Sequence, residues 1–111
     1  MNAWDIPAWL EAEVLARDTH CVYCGVAFAP RGSTRRADRP SWEHIVNDLR
    51  IVTRANIVLC CCACNASKGQ KGLSSWLQSA YCRRKGIAEA TVAAVVRLAL
   101  AESPRLPVAE A

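Results

Sequence analysis

Two short cysteine pairs constrain this chain more than any other feature of its sequence. The pairs are Cys21 with Cys24 and Cys61 with Cys64, and two residues separate the cysteines within each pair. Thiolates at this spacing can bind one face of a tetrahedral metal ion, and two such pairs complete a closed site of four sulfur ligands. A closed site leaves no coordination position for a substrate, so we predict that these four cysteines hold a structural zinc ion.

The remaining cysteines do not suggest a disulfide framework. The chain has seven cysteines, which is an odd number, and Cys-x-x-Cys spacing in a reducing compartment favours metal binding. The sequence opens without the basic and apolar stretches of a secretory signal, so a cytoplasmic location is expected. Cys60, Cys62 and Cys82 are predicted to be small apolar groups, with Cys62 a partly exposed thiol.

The length favours one domain that is stabilised by a metal. A chain of 111 residues can bury a modest hydrophobic core, but not two independent cores. No apolar run approaches the ~20 residues that cross a bilayer, so no membrane span is expected. We predict a single domain over residues 1–111, with a motif core over 17–72, a helical extension over 73–103 and a tail over 104–111.

Positive charge is concentrated in three stretches of the sequence. The formal net charge is only +4, but clustered basic residues make a polyanion such as DNA a reasonable partner. This inference is weak by itself, since basic runs are often no more than solvated loops. The clusters are Arg31, Arg35, Arg36 and Arg39, then Lys68 and Lys71, and finally Arg83, Arg84 and Lys85.

The first half of the sequence predicts a helix followed by two short strands. Asp5 can cap a helix that has Pro7 in its first turn, and apolar residues at helical spacing continue this helix to about Arg17. The segments 41–46 and 50–60 contain the β-branched and aromatic residues that favour strands.

Helices are expected in the second half. Asn65 can cap a short helix that ends at Gly69, and Ser75 can cap a longer helix that ends at Gly86. A last helix is predicted over residues 87–102, where valines and alanines fall on one face. The predicted fold class is therefore α+β, with a small core and flanking N- and C-terminal helices.

His44 is the first candidate for chemistry. An imidazole can take a proton from water near neutral pH, because its unperturbed pKa is about 6.5. A single histidine is more often a satisfied polar group than a catalytic base, so His44 alone decides nothing. Glu43 and Asn65 offer a carboxylate and an amide oxygen, which suit Mg²⁺ or Mn²⁺ and not zinc.

Each of these residues also has a plain structural interpretation. Glu43 can be a solvated surface acid, Asn65 a helix cap, and Lys68 an exposed lysine instead of a phosphate contact. Asn56 lies five residues before the second cysteine pair, and its side chain can bridge backbone groups across a loop. Its expected role is therefore structural.

Taken together, the residues resemble the HNH endonucleases, a family with a ββα-metal fold. The resemblance covers about half of the chain, over roughly residues 17–72. It implies an α+β fold whose ββα-metal core is stapled by the four-cysteine zinc site. The matching residues, in order, are Cys21, Cys24, Glu43, His44, Ile45, Val46, Asn56, Cys61, Cys64, Asn65, Lys68 and Gly69.

The resemblance implies a metal-dependent DNA endonuclease. His44 would be the general base, and Asn56 would orient the loop that carries it. Glu43 and Asn65 would hold a catalytic Mg²⁺ or Mn²⁺, although the family usually has Asp before the histidine and its name-giving pattern has His at the last position. The candidates for contacts with the nucleic-acid backbone are Lys68, Arg35, Arg36, Arg83 and Arg84.

Other functions stay open at the level of sequence. A zinc-ribbon module that binds nucleic acid without catalysis needs no second metal. A zinc deaminase requires His-x-Glu and a water on zinc, whereas here Glu43 and His44 are adjacent and four thiolates would exclude that water. A purely structural or redox protein is the last option. For the nuclease, DNA is the expected partner, and a homodimer stays open because a single site per chain would nick one strand.

Overall fold

The computed structural model describes residues 5–30 and 32–106. Arg31 of the first basic cluster and the end of the predicted tail, 107–111, lie outside the described residues. The two strands form an antiparallel sheet, and α2 follows β2 directly, so the predicted α+β class is confirmed. The elements are α1 (Ala8–Arg17), β1 (Pro40–His44), β2 (Ile57–Cys61), α2 (Cys62–Lys68), α3 (Leu73–Leu77), α4 (Ala80–Lys85) and α5 (Ala94–Ala101).

The pairing of the strands decides which side chains of β1 face which helix. Glu43 and His44 are successive residues of β1, so their side chains point to opposite faces of the sheet. Val58 is paired with Glu43, and Ile57 is paired with His44. Lys68 of α2 contacts Glu43, so α2 covers the Glu43 face.

Helix α1 covers the opposite face of the sheet. Its buried residues Leu10 and Val14 pack against Ile57 and Leu59 of β2 in one hydrophobic cluster. Paired residues of antiparallel strands share a face, so His44 lies on the same side as Ile57 and α1.

The helices after α2 pack on the Glu43 side and share its core. Val58 and Cys60 of β2 belong to one buried cluster with Trp76 of α3 and Val96 of α5. Trp76 is fully buried, and its indole N–H donates a 2.9 Å hydrogen bond to the hydroxyl oxygen of Ser67. The C-terminal helices are therefore part of the same packing unit as the sheet.

The second predicted strand is too long. We predicted a strand over residues 50–60, but β2 begins at Ile57. Turns occupy the preceding residues instead: the Ile51 N–H donates to the Asp48 carbonyl at 3.0 Å, and the Asn56 N–H donates to the Thr53 carbonyl at 3.0 Å. These local hydrogen bonds use backbone groups that a strand would need for its ladder.

The predicted helix from Ser75 to Lys85 is two helices. Gly72, not Ser75, precedes α3, and a break at Ser79 separates α3 from α4. The Ser79 hydroxyl accepts a hydrogen bond from the Cys82 N–H and so caps a new helix. The end at Gly86 is confirmed, because this glycine adopts a left-handed conformation with φ of 70°.

Three other helix starts also differ from the prediction. Pro7 precedes α1 as its cap position, while Asp5 lies before it with a positive φ of 53°. Asn65 lies inside α2, because the thiol of Cys61 caps that helix. Helix α5 begins at Ala94 and not at residue 87, since the Thr91 hydroxyl donates to backbone carbonyls of the preceding turn.

Truncation of Trp76 tests the importance of this shared core. We expect Trp76→Ala to lower the free energy of unfolding by about 3 to 5 kcal/mol, because a fully buried indole and its hydrogen bond are lost. Urea denaturation of the metal-loaded protein measures this change. Trp9→Ala is the matched control: Trp9 is 60% exposed, so its truncation should cost less than about 1 kcal/mol. Equal losses in both variants would contradict the assigned core.

Candidate functional site

The four predicted metal ligands lie together in the structure. The Sγ atoms of Cys21, Cys24, Cys61 and Cys64 are all within 4.8 Å of one another, and those of Cys24 and Cys61 are 3.8 Å apart. A tetrahedral zinc ion with Zn–S bonds of about 2.3 Å would place its sulfur atoms about 3.8 Å apart. The four cysteines are therefore positioned to hold a metal ion, as the sequence predicted.

The backbone of each pair is folded as a tight turn around its first sulfur. The Cys24 N–H donates to the Cys21 sulfur at 3.4 Å, and the Cys64 N–H donates to the Cys61 sulfur at 3.4 Å. Gly25 completes the first turn with a φ of 78°, a conformation that glycine adopts without steric cost. These N–H donors favour the thiolate form, which is the form that binds a metal.

The electrostatics of the cluster call for a cation. Hydrogen bonding with the Cys21 thiol lowers the pKa of Cys24, but hydrogen bonding with the same thiol raises the pKa of Cys64. Neighbouring thiolates repel one another, so without a positive charge some of the four sulfurs stay protonated. A divalent cation would allow all four to be thiolates at neutral pH.

Tyr81 of α4 also contacts the cluster, and the sequence analysis did not single it out. Its hydroxyl donates a 3.3 Å hydrogen bond to the sulfur of Cys64. Its ring stacks on Trp76 at 6.0 Å between centroids, and the Lys85 ammonium lies 5.4 Å from the ring centre. Tyr81 thus joins the C-terminal helices to the metal centre. No motif spacing marks this residue, since the contact depends on how α4 packs.

The other three cysteines have the roles that the sequence predicted. All cysteines of the chain are free thiols, and Cys60 and Cys82 are buried in the core. Burial raises the pKa of the Cys60 thiol, so it stays protonated. Cys62 is half-buried and accepts a hydrogen bond from the Arg39 guanidinium at 3.2 Å.

His44 is the last residue of β1 and is only 2% exposed. Burial lowers the pKa of its imidazole, while the nearby charge of Asp48 and a hydrogen bond with the Leu49 backbone act in the opposite direction. The ring is therefore neutral at pH 7, which is the state that a general base requires. Because the ring is enclosed, a substrate can reach it only after the chain around it moves.

Asn56 holds the loop that follows His44. Its Oδ1 accepts a 2.7 Å hydrogen bond from the Val46 N–H, and its Nδ2 donates to the carbonyls of Val46 and Ile51 at 3.1 and 3.0 Å. Its side chain is fully buried. Asn56 therefore bridges backbone groups across the loop between the two strands and fixes the backbone immediately after His44.

Glu43 and Lys68 form a buried ion pair. The Lys68 ammonium is 3.1 Å from Oε2 of Glu43 and donates to the Ile45 carbonyl at 2.8 Å. The Tyr23 hydroxyl donates to the same Glu43 oxygen at 2.9 Å. Burial raises the pKa of Glu43, and the charge of Lys68 opposes that rise. Glu43 is thus not a solvated surface acid.

The placement of Lys68 corrects one sequence prediction. Lys68 is 0% exposed, so in this structure it does not present its ammonium to a nucleic-acid phosphate, and it is not an exposed lysine either. The sequence suggested either a phosphate contact or an exposed lysine, because Lys68 follows Asn65 by one helical turn. The buried carboxylate of Glu43 draws the ammonium inward instead.

Asn65 lies one helical turn before Lys68 and contacts the same strand. Its Nδ2 donates to the Ser41 hydroxyl at 3.0 Å and to the Trp42 carbonyl at 3.2 Å. The structure therefore brings Asn65 and Glu43 to one side of β1, while His44 points to the other. The donor types of Glu43 and Asn65 fit a hard divalent ion, but the charge of Glu43 is already balanced by an ammonium.

The predicted nucleic-acid contacts other than Lys68 are on the surface. Arg35, Arg36, Arg83 and Arg84 are all exposed. The first two belong to a segment whose backbone binds the start of α2: the Arg36 carbonyl accepts from the Ala63 N–H at 2.9 Å. The other two are in α4, which contacts the cysteine cluster through Tyr81. Both basic segments thus adjoin elements of the metal centre.

No protein-family model matches this chain, and neither a curated protein nor a solved structure matches it. Among the described residues, none of the helices has the length and apolar character needed to cross a membrane. A function for the chain is therefore inferred from the chemistry and geometry of its own residues.

Loss of one cysteine ligand tests the metal centre. We expect Cys61→Ser to abolish tight zinc binding and cooperative unfolding, because three thiolates no longer close the site and the β2–α2 junction loses its clamp. Elemental analysis and thermal unfolding with and without a chelator measure both effects. Cys62→Ser changes the next residue, which is not a ligand, and should retain one zinc per chain. Full zinc retention by Cys61→Ser would contradict the assignment.

Removal of a hydroxyl tests the contribution of Tyr81. We expect Tyr81→Phe to weaken zinc binding by about tenfold, because hydrogen bonds to metal ligands raise affinity by factors of about 10 to 100. Competition with a coloured zinc chelator measures this. Tyr23→Phe is the matched control, because the Tyr23 hydroxyl binds Glu43 and not a ligand sulfur. If both variants bind zinc as tightly as the wild type, Tyr81 does not support the centre.

Proposed function

We propose that this chain is a metal-dependent DNA endonuclease of the HNH type that hydrolyses phosphodiester bonds. The observation that carries the proposal is the order of the elements around His44. An antiparallel strand pair leads directly into α2, His44 ends the first strand, and Asn56 fixes the intervening loop. This is the order that a ββα-metal core requires, and the four cysteines would staple it with a structural zinc ion.

In this proposal His44 is the general base. Its neutral imidazole takes a proton from a water molecule, and the resulting hydroxide attacks the phosphorus in line with the departing 3′ oxygen. The products have 5′-phosphate and 3′-hydroxyl ends. Asn56 contributes by holding the backbone after His44, so its part is positional.

The proposal includes a requirement for Mg²⁺ or Mn²⁺, with Glu43 and Asn65 as the residues that would hold it. When bound, such an ion neutralises charge on the scissile phosphate and on the leaving oxygen. His44 faces the other side of β1, so the proposal requires the end of this strand to rearrange before the imidazole and the ion act on one phosphate.

The zinc centre would position these groups. Cys61 ends β2, Cys64 lies in the first turn of α2, and Asn65 follows immediately. A metal that clamps this junction to Cys21 and Cys24 fixes α2 against the sheet. The exposed arginines of the two basic segments would bind the DNA backbone. Two paired chains would be needed to cut both strands. A reducing compartment such as the cytoplasm suits the free thiols.

The burial of His44 favours a second candidate, a zinc-ribbon module that binds nucleic acid without cutting it. An imidazole that is 2% exposed cannot contact a bound phosphate in the present arrangement. In that case the basic segments alone would account for binding, and no divalent ion would be required.

Cleavage of supercoiled plasmid distinguishes the two functions. We expect the zinc-loaded protein to nick plasmid in the presence of Mg²⁺ or Mn²⁺, and we expect His44→Ala to slow nicking by about 10² to 10⁴ because the general base is lost. Gel electrophoresis measures the rate. The other histidine of the chain gives the control: His20 is exposed and pairs with Ala27 in an isolated β-bridge, so His20→Ala should cut normally.

The same experiment also identifies the alternative. Zinc content and the circular dichroism spectrum of His44→Ala at the assay temperature should match those of the wild type, which excludes a folding defect as the cause of lost activity. If wild type and His44→Ala bind DNA but are equally inert with several divalent ions, the non-catalytic binding module is the better account.

A further inference from the structure

The proposed mechanism does not use the buried ammonium of Lys68. This group is fully enclosed and binds the residues on both sides of His44: the carboxylate of Glu43 at 3.1 Å and the carbonyl of Ile45 at 2.8 Å. The Tyr23 hydroxyl is the second donor to the same Glu43 oxygen, at 2.9 Å. One carboxylate oxygen therefore receives an ammonium and a hydroxyl in a site closed to bulk water.

Because Glu43 and Lys68 are buried, the interaction between their charges is strong. Opposite charges that are removed from water interact strongly, and the loss of one partner leaves the other as an uncompensated buried charge. The ion pair of Glu13 and Arg54 is also short, at 2.7 Å, but both of its side chains are substantially exposed, so solvent screens it. The Lys68 ammonium is thus the cation on which the buried charge of Glu43 depends.

A divalent ion at Glu43 would meet this ammonium at close range. Asn65 and Lys68 are three residues apart in α2 and contact the same strand, so the helix presents an amide and an ammonium to one side of β1. A divalent cation and an ammonium a few ångströms apart repel each other strongly in a poorly solvated site. The two cations therefore cannot share one carboxylate without a large electrostatic cost.

We propose that Lys68 is an internal cation that competes with a divalent metal ion for Glu43, so that the ion binds only when the ammonium moves away. The inference rests on the proposed function, because that function places the divalent ion at Glu43 and Asn65. Lys68 is then a positioning residue in the metal-free protein, where it balances Glu43 and holds the backbone beside His44. It also sets the affinity of the site for the ion.

Titration of zinc-loaded protein with Mn²⁺ alone tests this competition, with bound Mn²⁺ counted by electron paramagnetic resonance. We expect weak binding by the wild type and binding about tenfold tighter or more by Lys68→Met, a factor equivalent to about 1.4 kcal/mol of removed repulsion. Glu43→Gln/Lys68→Met should lose the gain, because the carboxylate is gone. Arg54→Met, which removes a cation from the exposed pair, should bind Mn²⁺ like the wild type.

Folding of the variants provides a second readout. If Lys68→Met is unfolded without divalent ions, the proposal expects millimolar Mn²⁺ to restore its circular dichroism spectrum, since the ion replaces the lost charge. Lys68→Gln keeps a donor for the Ile45 carbonyl and should show the same gain in Mn²⁺ affinity. Equal Mn²⁺ affinity in the wild type and both Lys68 variants, or no Mn²⁺ binding and no refolding in any of them, would overturn the proposal.

The outcome is separable from the nuclease assay. A wild type that fails to nick plasmid, while the Lys68 variants gain Mn²⁺ affinity through Glu43, would remove the proposed activity and leave the competition intact. A wild type that nicks plasmid with Mn²⁺, while the Lys68 variants bind the ion no more tightly, would support the proposed activity and overturn the competition between Lys68 and the ion.

Discussion

The rest of the structure depends on the meeting of four sulfur atoms from two distant parts of the chain. The turn at Cys21 and Cys24 and the junction at Cys61 and Cys64 meet in this cluster, and the core around it and a hydrogen bond from the Val22 N–H to the Leu59 carbonyl also connect them. The second pair lies where β2 becomes α2, so a bound metal fixes the angle between strand and helix. In a chain this short, where the hydrophobic core is modest, such a clamp supplies stability that packing alone rarely provides.

Charge is distributed unevenly around this clamp. The exposed arginines lie on segments that contact α2 or the cysteine cluster, while Glu43, Lys68 and Asn56, which bind the backbone around His44 or one another, are buried. Buried polar groups need partners, and each of these three has them in the backbone or in one another. The region that the proposed function makes reactive is therefore closed and internally balanced in this structure. The proposed reaction would require displacement of some of these contacts, among them the ion pair of Glu43 with Lys68.

Local patterns predicted a large part of this arrangement. The Cys-x-x-Cys spacing identified the metal ligands, because a thiolate pair at that separation has few other uses in a reducing compartment. Gly69 and Gly86 marked helix ends, because both adopt positive φ angles that other residues avoid. The prediction of one helix from Ser75 to Lys85 was wrong because the Ser79 hydroxyl accepts a hydrogen bond from the Cys82 N–H. This contact caps a new helix and divides the expected one.

The sequence by itself determined which four cysteines would meet in one metal-binding cluster, the fold class and the candidate chemistry of His44, since each follows from residue type and spacing. Tertiary structure alone decided that Tyr81 contacts Cys64, that His44 and Glu43 face opposite sides of the sheet, and that Lys68 lies inside the protein against Glu43. These facts depend on which surfaces pack together and on where a buried charge finds its partner. Such long-range contacts leave no periodic trace in the order of residues, because they are set by the balance between burial and charge compensation in the folded chain.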